Sequence, residues 1–181
     1  ILIKLPQPTT KLNYYKDIAI LAFPTPQNET RLDNLELKTL SGHSFPNHLL
    51  PDEKVIPQTA LIRKSEIINL TSNMSSDGHL KWKAPAGKWT ILRIGHTPTG
   101  TENRPANDTG QGLECDKLSR AAVDAYWKGG IHPILEKLGP LVGSNLTNCL
   151  IDSYEVGCGN WTTGFDKEFA KRCKYDCISY L

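Results

Sequence analysis

The chain has 181 residues, with 21 basic and 19 acidic side chains and a formal net charge of +2. This near balance gives no electrostatic reason to expect nucleic acid or an anionic membrane surface as a partner. No apolar run approaches the roughly 18 to 20 residues that are needed to span a bilayer. The chain begins at Ile1 and stops at Leu181 without a polar tail, so we expect it to be an internal piece of a longer polypeptide.

Short β-strands are predicted through residues 1–100. The apolar run Asp17–Phe23 is closed by prolines and has the length of a buried strand rather than a helix. Leu80–Lys83 and Trp89–Gly95 alternate apolar and polar residues, as half-buried strands do. Short strands between turn residues are typical of an antiparallel β-sandwich. The sequence therefore predicts an accessory β-sandwich-like region here.

Residues 101–118 form a long loop rich in Thr, Asn and Gly, which is typical of a domain junction or a functional loop. Beyond the loop the composition changes. Ser119 is a good helix-capping residue, and a helix is predicted to run from it to the Gly129–Gly130 pair. Pro133 fits the first turn of a second helix.

Residues 119–181 are predicted to be the start of a catalytic (β/α)8 barrel. Asn148–Glu155 begins apolar and ends in carboxylates, as a barrel strand does, and Phe165 and Phe169 lie one turn apart on a following helix. The predicted fold class is therefore α+β in a multidomain fragment. An antiparallel β-sandwich is followed by the first strand and helices of an incomplete barrel.

The strongest chemical signal is the run Asp152-Ser153-Tyr154-Glu155. In a strand, Asp152 and Tyr154 face one side and Glu155 the other. Polar residues at the carboxyl end of a barrel strand lie at the catalytic face. Cleavage of a glycosidic bond needs one carboxylic acid to protonate the leaving oxygen and a second carboxylate as base or nucleophile. The alternative is that Asp152 and Glu155 cap the next loop or pair with a nearby cation.

Other polar and aromatic residues are weaker candidates. Glu114 and Asp116 could hold a cation or a sugar hydroxyl, but acidic residues ahead of a helix also suit its dipole, which is the simpler interpretation. His96 follows the last predicted strand and suits a hydrogen-bonded loop position as well as a substrate contact. Tyr154 and Trp161 could stack on sugar rings or pack in the core.

Cysteines and glycosylation sequons leave further alternatives open. Five cysteines allow one disulfide, for example between Cys158 and Cys173 or Cys177, or only free thiols. No C-x-x-C pair is present, so a structural zinc site is poorly supported. The sequons are a weak indication of an extracellular protein. Their acceptors are Asn28, Asn69, Asn73, Asn107, Asn145 and Asn160.

Several strings, in one order along the chain, resemble glycoside hydrolase family 106, a family of α-L-rhamnosidases. They are Asp17–Pro26, Trp89–Gly100, Gly112–Ser119 and Asp152–Gly157, the last followed by Asn160-Trp161-Thr162. The resemblance implies a large multidomain enzyme with a β/α barrel flanked by β-sandwich domains. It implies calcium-assisted hydrolysis of α-L-rhamnosides with inversion by two glutamates. It also implies an oligo- or polysaccharide substrate, the remaining domains of the same polypeptide as partners, and a secreted or periplasmic location.

On this resemblance Glu155 is the catalytic candidate, and the second catalytic carboxylate is expected on a later strand of the same enzyme. The candidate calcium ligands are Asp152 and Glu155. Substrate contacts are expected from Asp152, Tyr154, His96, Asn160 and Trp161. Inversion requires a water between two carboxyl groups, so we expect these 181 residues alone to be inactive.

Two stretches depart from the family pattern, Cys158-Gly159 and Cys173–Cys177, and both lie outside the acidic motif. Two other functions stay open. One is a non-catalytic carbohydrate-binding β-sandwich module, and the other is a barrel glycosidase of different sugar specificity. The module would explain residues 17–95 but leaves the carboxylates of the predicted strand at 148–155 without a role.

Overall fold

The computed structural model describes residues 1–28, 55–150 and 159–181. This part of the chain is α+β, with antiparallel strands first and helices later. The strands are β1 (Leu2–Lys4), β2 (Lys16–Pro24), β3 (Ile68–Asn69), β4 (His79–Lys81) and β5 (Trp89–His96). The α-helices are α1 (Arg120–Tyr126), α2 (His132–Leu138) and α3 (Phe165–Cys173), with a π-helical turn at Trp127–Ile131. Single 3₁₀ turns lie at Gln58–Ala60, Lys64–Glu66, Thr71–Asn73, Gly139–Leu141 and Ile178–Tyr180.

β2 is the central strand of a three-stranded antiparallel sheet with the order β3-β2-β5. Five consecutive residues of β2, from Ala19 to Phe23, are at most 8% exposed, so both faces of the strand are covered. The prediction of a buried strand from the apolar run is confirmed, with each end within one residue. A β-bulge shifts the register, so that Asp17 pairs with Gly95 while Ala19 pairs with Ile94.

One apolar cluster joins this sheet to the two-stranded sheet formed by β1 and β4. Its centre consists of Ile20, Ala22, Leu70 and Leu80, each at most 3% exposed. Full burial of a side chain such as Ile20 or Leu80 stabilises a fold by about 1.5–3 kcal/mol. The partly buried side chains packed against this centre are Ile3, Leu5, Ile68, Met74, Trp82, Trp89 and Ile91.

A half-buried ion pair ties β5 to β2 beside the bulge. Arg93 Nε and Nη2 donate to the two carboxylate oxygens of Asp17 at 2.7 and 2.9 Å. Arg93 Nη1 donates to the carbonyl oxygen of Leu5 at 2.7 Å. The ring of Tyr15 lies 5.6 Å from the guanidinium group. Two-pronged pairing with a carboxylate is among the strongest side-chain hydrogen bonding in proteins, so it fixes the segment that enters β2.

The turn at Ser75–Gly78 leads into β4 and is organised by Asp77. The Asp77 carboxylate accepts hydrogen bonds from the Ser75 hydroxyl at 2.6 Å and from His79 Nδ1 at 2.9 Å. Gly78 has a φ of 86°, which glycine adopts without steric cost. The hydrogen bond from Ser75, followed by those from His79, lowers the pKa of Asp77 from 3.8 to about 2.

The lowered pKa predicts a pH dependence of stability. A carboxyl whose pKa is lower in the folded state stabilises it above the unfolded pKa, and loses that contribution as the pH falls through the folded pKa, here about 2. In the full-length protein, Asp77→Asn is expected to flatten the acid side of the Tm-against-pH profile slightly, because Asp77 is exposed. Calorimetry of wild type, Asp77→Asn and the loop control Asp108→Asn checks this. A profile of Asp77→Asn parallel to that of the wild type would contradict it.

α1, the π-helical turn and α2 form one helical stretch, so the predicted helix end at Gly129–Gly130 is wrong. The backbone is right-handed helical at both ends of the turn, and the His132 amide donates to the carbonyl of Trp127. Pro133 lies in the first turn of α2, as predicted. In an α-helix a proline ring clashes with the carbonyl four residues back, and the wider π-helical turn leaves room for that ring.

The described residues form two compact units, Ile1–Pro98 with Asp166–Leu181, and Thr99–Phe165. The predicted divisions at 1–100, 101–118 and 119–181 stay predictions. Within the ranges that the structure covers, no helix has the length and apolar character of a membrane span.

Of the five cysteines, Cys115, Cys149, Cys173 and Cys177 have free thiols. Cys158 lies outside the described residues. A disulfide among the four described cysteines is therefore absent, and one that uses Cys158 stays an open alternative.

Candidate functional site

The six predicted site residues fall into three groups. His96 is the last residue of β5 in the first unit, and Asn160 and Trp161 lie in the second unit ahead of α3. Asp152, Tyr154 and Glu155 are outside the described residues. The described beginning of the predicted strand, residues 148–150, has no regular secondary structure.

A side-chain hydrogen bond joins two segments of the second unit that are 46 residues apart in sequence. The Thr162 hydroxyl donates to Asp116 Oδ2 at 2.7 Å. The other carboxylate oxygen, Oδ1, accepts from the Leu118 amide at 3.0 Å. We call the contact between residues 116 and 162 the Asp116–Thr162 clamp. Both segments belong to the strings that carry the family resemblance, and the clamp places them side by side.

The Asp116 end of the clamp is connected to the start of α1. The Asp116 carbonyl accepts from the Ser119 amide at 3.1 Å. The Ser119 hydroxyl in turn accepts from the Ala122 amide at 3.3 Å and caps the helix, as predicted. Asp116 is therefore held by a helix N-terminus, while its second carboxylate oxygen reaches the Thr162 hydroxyl.

The segment on the Thr162 end carries the predicted sugar contacts. The Trp161 ring packs against the Phe165 ring with centroids 5.0 Å apart. The Thr162 carbonyl accepts from the Phe165 amide at 3.2 Å, which closes a turn in which Gly164 has a φ of 83°. Gly164 is the third residue of this four-residue turn, and a positive φ at that position favours glycine. Trp161 is half-buried and Asn160 is exposed, so the aromatic face is fixed while the amide is open to a ligand.

The loop ahead of Asp116 is ordered by its own hydrogen bonds. Asn103 donates through Nδ2 to the Gly110 carbonyl at 2.9 Å and accepts at Oδ1 from the Gly112 amide at 2.8 Å. Glu114 lies 3.4 Å from the Lys117 ammonium group. Burial, followed by the charge of Asp116, raises the pKa of the Cys115 thiol. A raised pKa keeps the thiol in its neutral form, which is a poor nucleophile.

His96 is held at the end of β5 by an aromatic contact. The rings of Tyr14 and His96 meet edge to face, with centroids 6.0 Å apart. In the register of β2 and β5, His96 pairs with Lys16. His96 therefore belongs to β5, one residue beyond the predicted end of the strand, and not to the following loop.

Metal binding was expected at Asp152 and Glu155, which the structure does not describe. In residues 1–28, 55–150 and 159–181, no three His, Cys, Asp or Glu side chains come together as metal ligands would. Both carboxylate oxygens of Asp116 already accept from protein donors. Through these contacts and the hydrogen bond from the Ser119 amide to its carbonyl, Asp116 orders the loop that leads into α1.

Sequence reasoning missed the pairing of Thr162 with Asp116. In the sequence, Thr162 appears only as part of the Asn160-Trp161-Thr162 string, and Asp116 only as a possible ligand or a helix-end charge. The available signal was that both residues lie inside strings shared with one family. That signal does not say which side chains touch, because the contact depends on how two distant segments pack.

Comparison with known proteins assigns the chain to a class of enzyme. A family model described as alpha-L-rhamnosidase, glycoside hydrolase family 106, matches residues 3–181. A solved structure of a rhamnosidase from Novosphingobium sp. PP1Y is similar with a TM-score of 0.57 and 36% identity, over 66% of this chain and 12% of that one. These matches make the chain part of a glycoside hydrolase. More narrowly, it belongs to glycoside hydrolase family 106.

A curated relative carries a different activity in its name. A protein of Formosa agariphila called "Putative beta-glucuronidase" is 60% identical over 178 residues, which are 98% of this chain and 15% of that protein. The chain thus spans a small part of the length of both the relative and the rhamnosidase.

Proposed function

We propose that this chain is part of a longer enzyme that hydrolyses terminal α-L-rhamnosides with inversion of configuration. The family match over residues 3–181 carries this proposal, and the 36% identity to a rhamnosidase of known structure supports it. A carbohydrate substrate follows from the class of enzyme. The proposed substrate is an oligo- or polysaccharide with a terminal rhamnose, and the proposed location is secreted or periplasmic.

In this proposal Glu155 is the catalytic group of the chain, and a second carboxylate comes from another part of the enzyme. Inverting enzymes place the two carboxyl groups about 6.5–9.5 Å apart, so that a water fits between one of them and the sugar. Asp152, Tyr154 and His96 are proposed substrate contacts together with Asn160 and Trp161. An amide such as Asn160 donates to and accepts from sugar hydroxyls.

The aromatic pair suits a deoxy sugar. Rhamnose has a methyl group and an apolar ring face, and both can pack on an indole such as Trp161. The contact of Trp161 with Phe165 fixes the orientation of the indole. An oriented ring loses little side-chain freedom when a sugar binds, which supports Trp161 as the stacking residue.

Calcium is proposed on the resemblance, with Asp152 and Glu155 as the residues that would hold it. Carboxylate oxygens are the ligand type that Ca²⁺ prefers. A bound divalent cation would supply positive charge that orients sugar hydroxyls and carboxylates. The fold proposed for the complete enzyme is a β/α barrel, begun by residues 119–181, with a β-sandwich to which residues 1–100 contribute and further domains of the same polypeptide.

A second candidate is hydrolysis of β-glucuronides, which the name of the Formosa agariphila relative favours at 60% identity. The two sugars differ at one ring position in the group that the binding site has to accommodate. Glucuronic acid carries a carboxylate, which needs a cationic partner, whereas rhamnose carries a methyl group there. A site built for one group rejects the other strongly, because it leaves a charge or a polar group without a partner.

The test compares the two substrates on the full-length enzyme. We expect para-nitrophenyl α-L-rhamnoside to be hydrolysed with a kcat/KM at least about 10³-fold above that of para-nitrophenyl β-D-glucuronide, since burial of an unpaired carboxylate in a pocket for a methyl group costs several kcal/mol. Proton NMR of the first sugar released should show inverted anomeric configuration. The reverse preference would establish the second candidate. Absence of turnover with either substrate would favour a carbohydrate-binding module instead.

A further inference from the structure

Within the described residues of the second unit, three contacts of the segment Asn160–Thr162 are identified. Asn160 is exposed, and none of the residues of α1 or α2 is buried. In the described part of this unit, these two helices therefore provide no buried core that could hold the segment. The identified contacts are the ring contact of Trp161, the turn closed by the Thr162 carbonyl, and the clamp made by the Thr162 hydroxyl.

The clamp is the contact among these that leads to another part of the unit. The turn and the ring contact both join the segment to Phe165, three to four residues further along the chain. The clamp joins it to Asp116, which is anchored to the N-terminus of α1 through Ser119. A hydrogen bond to a carboxylate is shorter and stronger than one between neutral groups, and the 2.7 Å distance agrees with this.

We propose that the Asp116–Thr162 clamp is a positioning device that orders Asn160 and Trp161 for the sugar. This inference rests on the proposed function, in which those two residues contact the substrate. Without the clamp the segment samples more conformations in the free enzyme, and that freedom has to be lost when the sugar binds. Asp116 and Thr162 act through their neighbours and do not contact the sugar.

A positioning role of this kind predicts a specific kinetic change. The segment binds the sugar equally in the ground state and the transition state, so loss of its order raises KM and leaves kcat nearly unchanged. In the full-length enzyme we expect Thr162→Val to raise KM for para-nitrophenyl α-L-rhamnoside about three- to tenfold. This range corresponds to the loss of one hydrogen bond to a charged group, when only part of its free energy affects sugar binding. Thr162→Ser keeps the hydroxyl and should stay within about twofold of the wild type.

Matched variants separate the clamp from a general loss of charge or fold. Glu114→Gln removes one negative charge from the same loop but leaves the clamp, and should keep the wild-type KM. Asp116→Asn retains an acceptor oxygen, so its KM should lie between those of the wild type and Asp116→Ala. The double variant Asp116→Ala/Thr162→Val should have the KM of Asp116→Ala alone, because that substitution already removes the clamp together with the contact to the Leu118 amide. Tm of each variant is measured beside its kinetics.

The outcomes distinguish this inference from the proposed function. A rise in KM for Thr162→Val, with rescue by Thr162→Ser and a near wild-type Tm, would support the positioning role. Wild-type KM for Thr162→Val, beside a raised KM for Trp161→Ala, would overturn the role of the clamp and leave the proposed site intact. Wild-type KM for Trp161→Ala would overturn the substrate contacts, and the role of the clamp with them. Equal effects of Glu114→Gln and Asp116→Ala would show a charge effect and also refute the clamp.

Discussion

Glu155→Gln in the full-length enzyme is expected to lower kcat on para-nitrophenyl α-L-rhamnoside by about 10²- to 10⁴-fold, the range for loss of a general acid or base. Glutamine keeps the size and much of the hydrogen bonding of glutamate but neither takes up nor releases a proton. If Glu155 transfers the proton, substrate binding is largely preserved and KM changes much less than kcat. Stopped assays at high enzyme concentration, with circular dichroism of both proteins, measure this.

The control for this variant is Glu136→Gln, which removes a carboxylate from the exposed surface of α2. It should keep the wild-type kcat. A chelator should lower the turnover of the wild type if calcium assists the reaction, and added Ca²⁺ should restore it. Wild-type kcat in Glu155→Gln would make Glu155 a structural residue and would return the chain to the accessory-module hypothesis.

Gly95→Ala is expected to be the most damaging small substitution in the β-sheet. A Cβ at position 95 would overlap the Cζ and hydroxyl of Tyr15 and lie 2.6 Å from the Lys16 carbonyl oxygen. The Tyr15 ring therefore occupies the space that the missing Cβ of Gly95 leaves. Overpacking that forces the backbone to move costs about 1–3 kcal/mol and occasionally more, and we expect Gly95→Ala to lie at the upper end of that range.

Hydrogen exchange of the full-length protein measures this loss locally. Amides of β2 and β5 should exchange about a hundredfold faster in Gly95→Ala, which corresponds to about 3 kcal/mol of opening free energy. Gly129→Ala is the matched control, because nothing lies within 4 Å of its added Cβ. Gly95→Ala/Tyr15→Ala should recover only part of the protection, since the Lys16 carbonyl remains close. Unchanged exchange in Gly95→Ala would contradict this account of the sheet.

Local patterns in the sequence predicted several elements well. The apolar run that became β2 and the alternation that became β5 have the right type and nearly the right ends. Ser119 caps α1, and α3 contains Phe165 and Phe169 one turn apart, as predicted. Each of these features depends on residues close together in the chain, which is why a single sequence suffices.

The end of the first predicted helix was predicted less well. The Gly129–Gly130 pair was expected to end a helix, because each glycine costs about 1 kcal/mol in a helix interior. The chain instead passes through a π-helical turn and continues as α2. The described beginning of the predicted strand at 148–155, residues 148–150, is irregular with Leu150 89% exposed. The rest of that segment lies outside the described residues, so the strand stays a prediction.

The sequence by itself determined the membership of glycoside hydrolase family 106, the α+β class, the strands β2, β4 and β5, and the start of α1 at Ser119. It could do so because apolar periodicity, helix-capping residues and the motifs shared with the family all depend on residues that are close together in the chain. Only the tertiary structure decided that Asp17 pairs with Arg93, that Gly95 makes room for Tyr15, and that Asp116 meets Thr162. The residues in these contacts are 46 to 80 positions apart in the sequence. Which residues meet at such a separation depends on tertiary packing, and a local sequence pattern does not predict it.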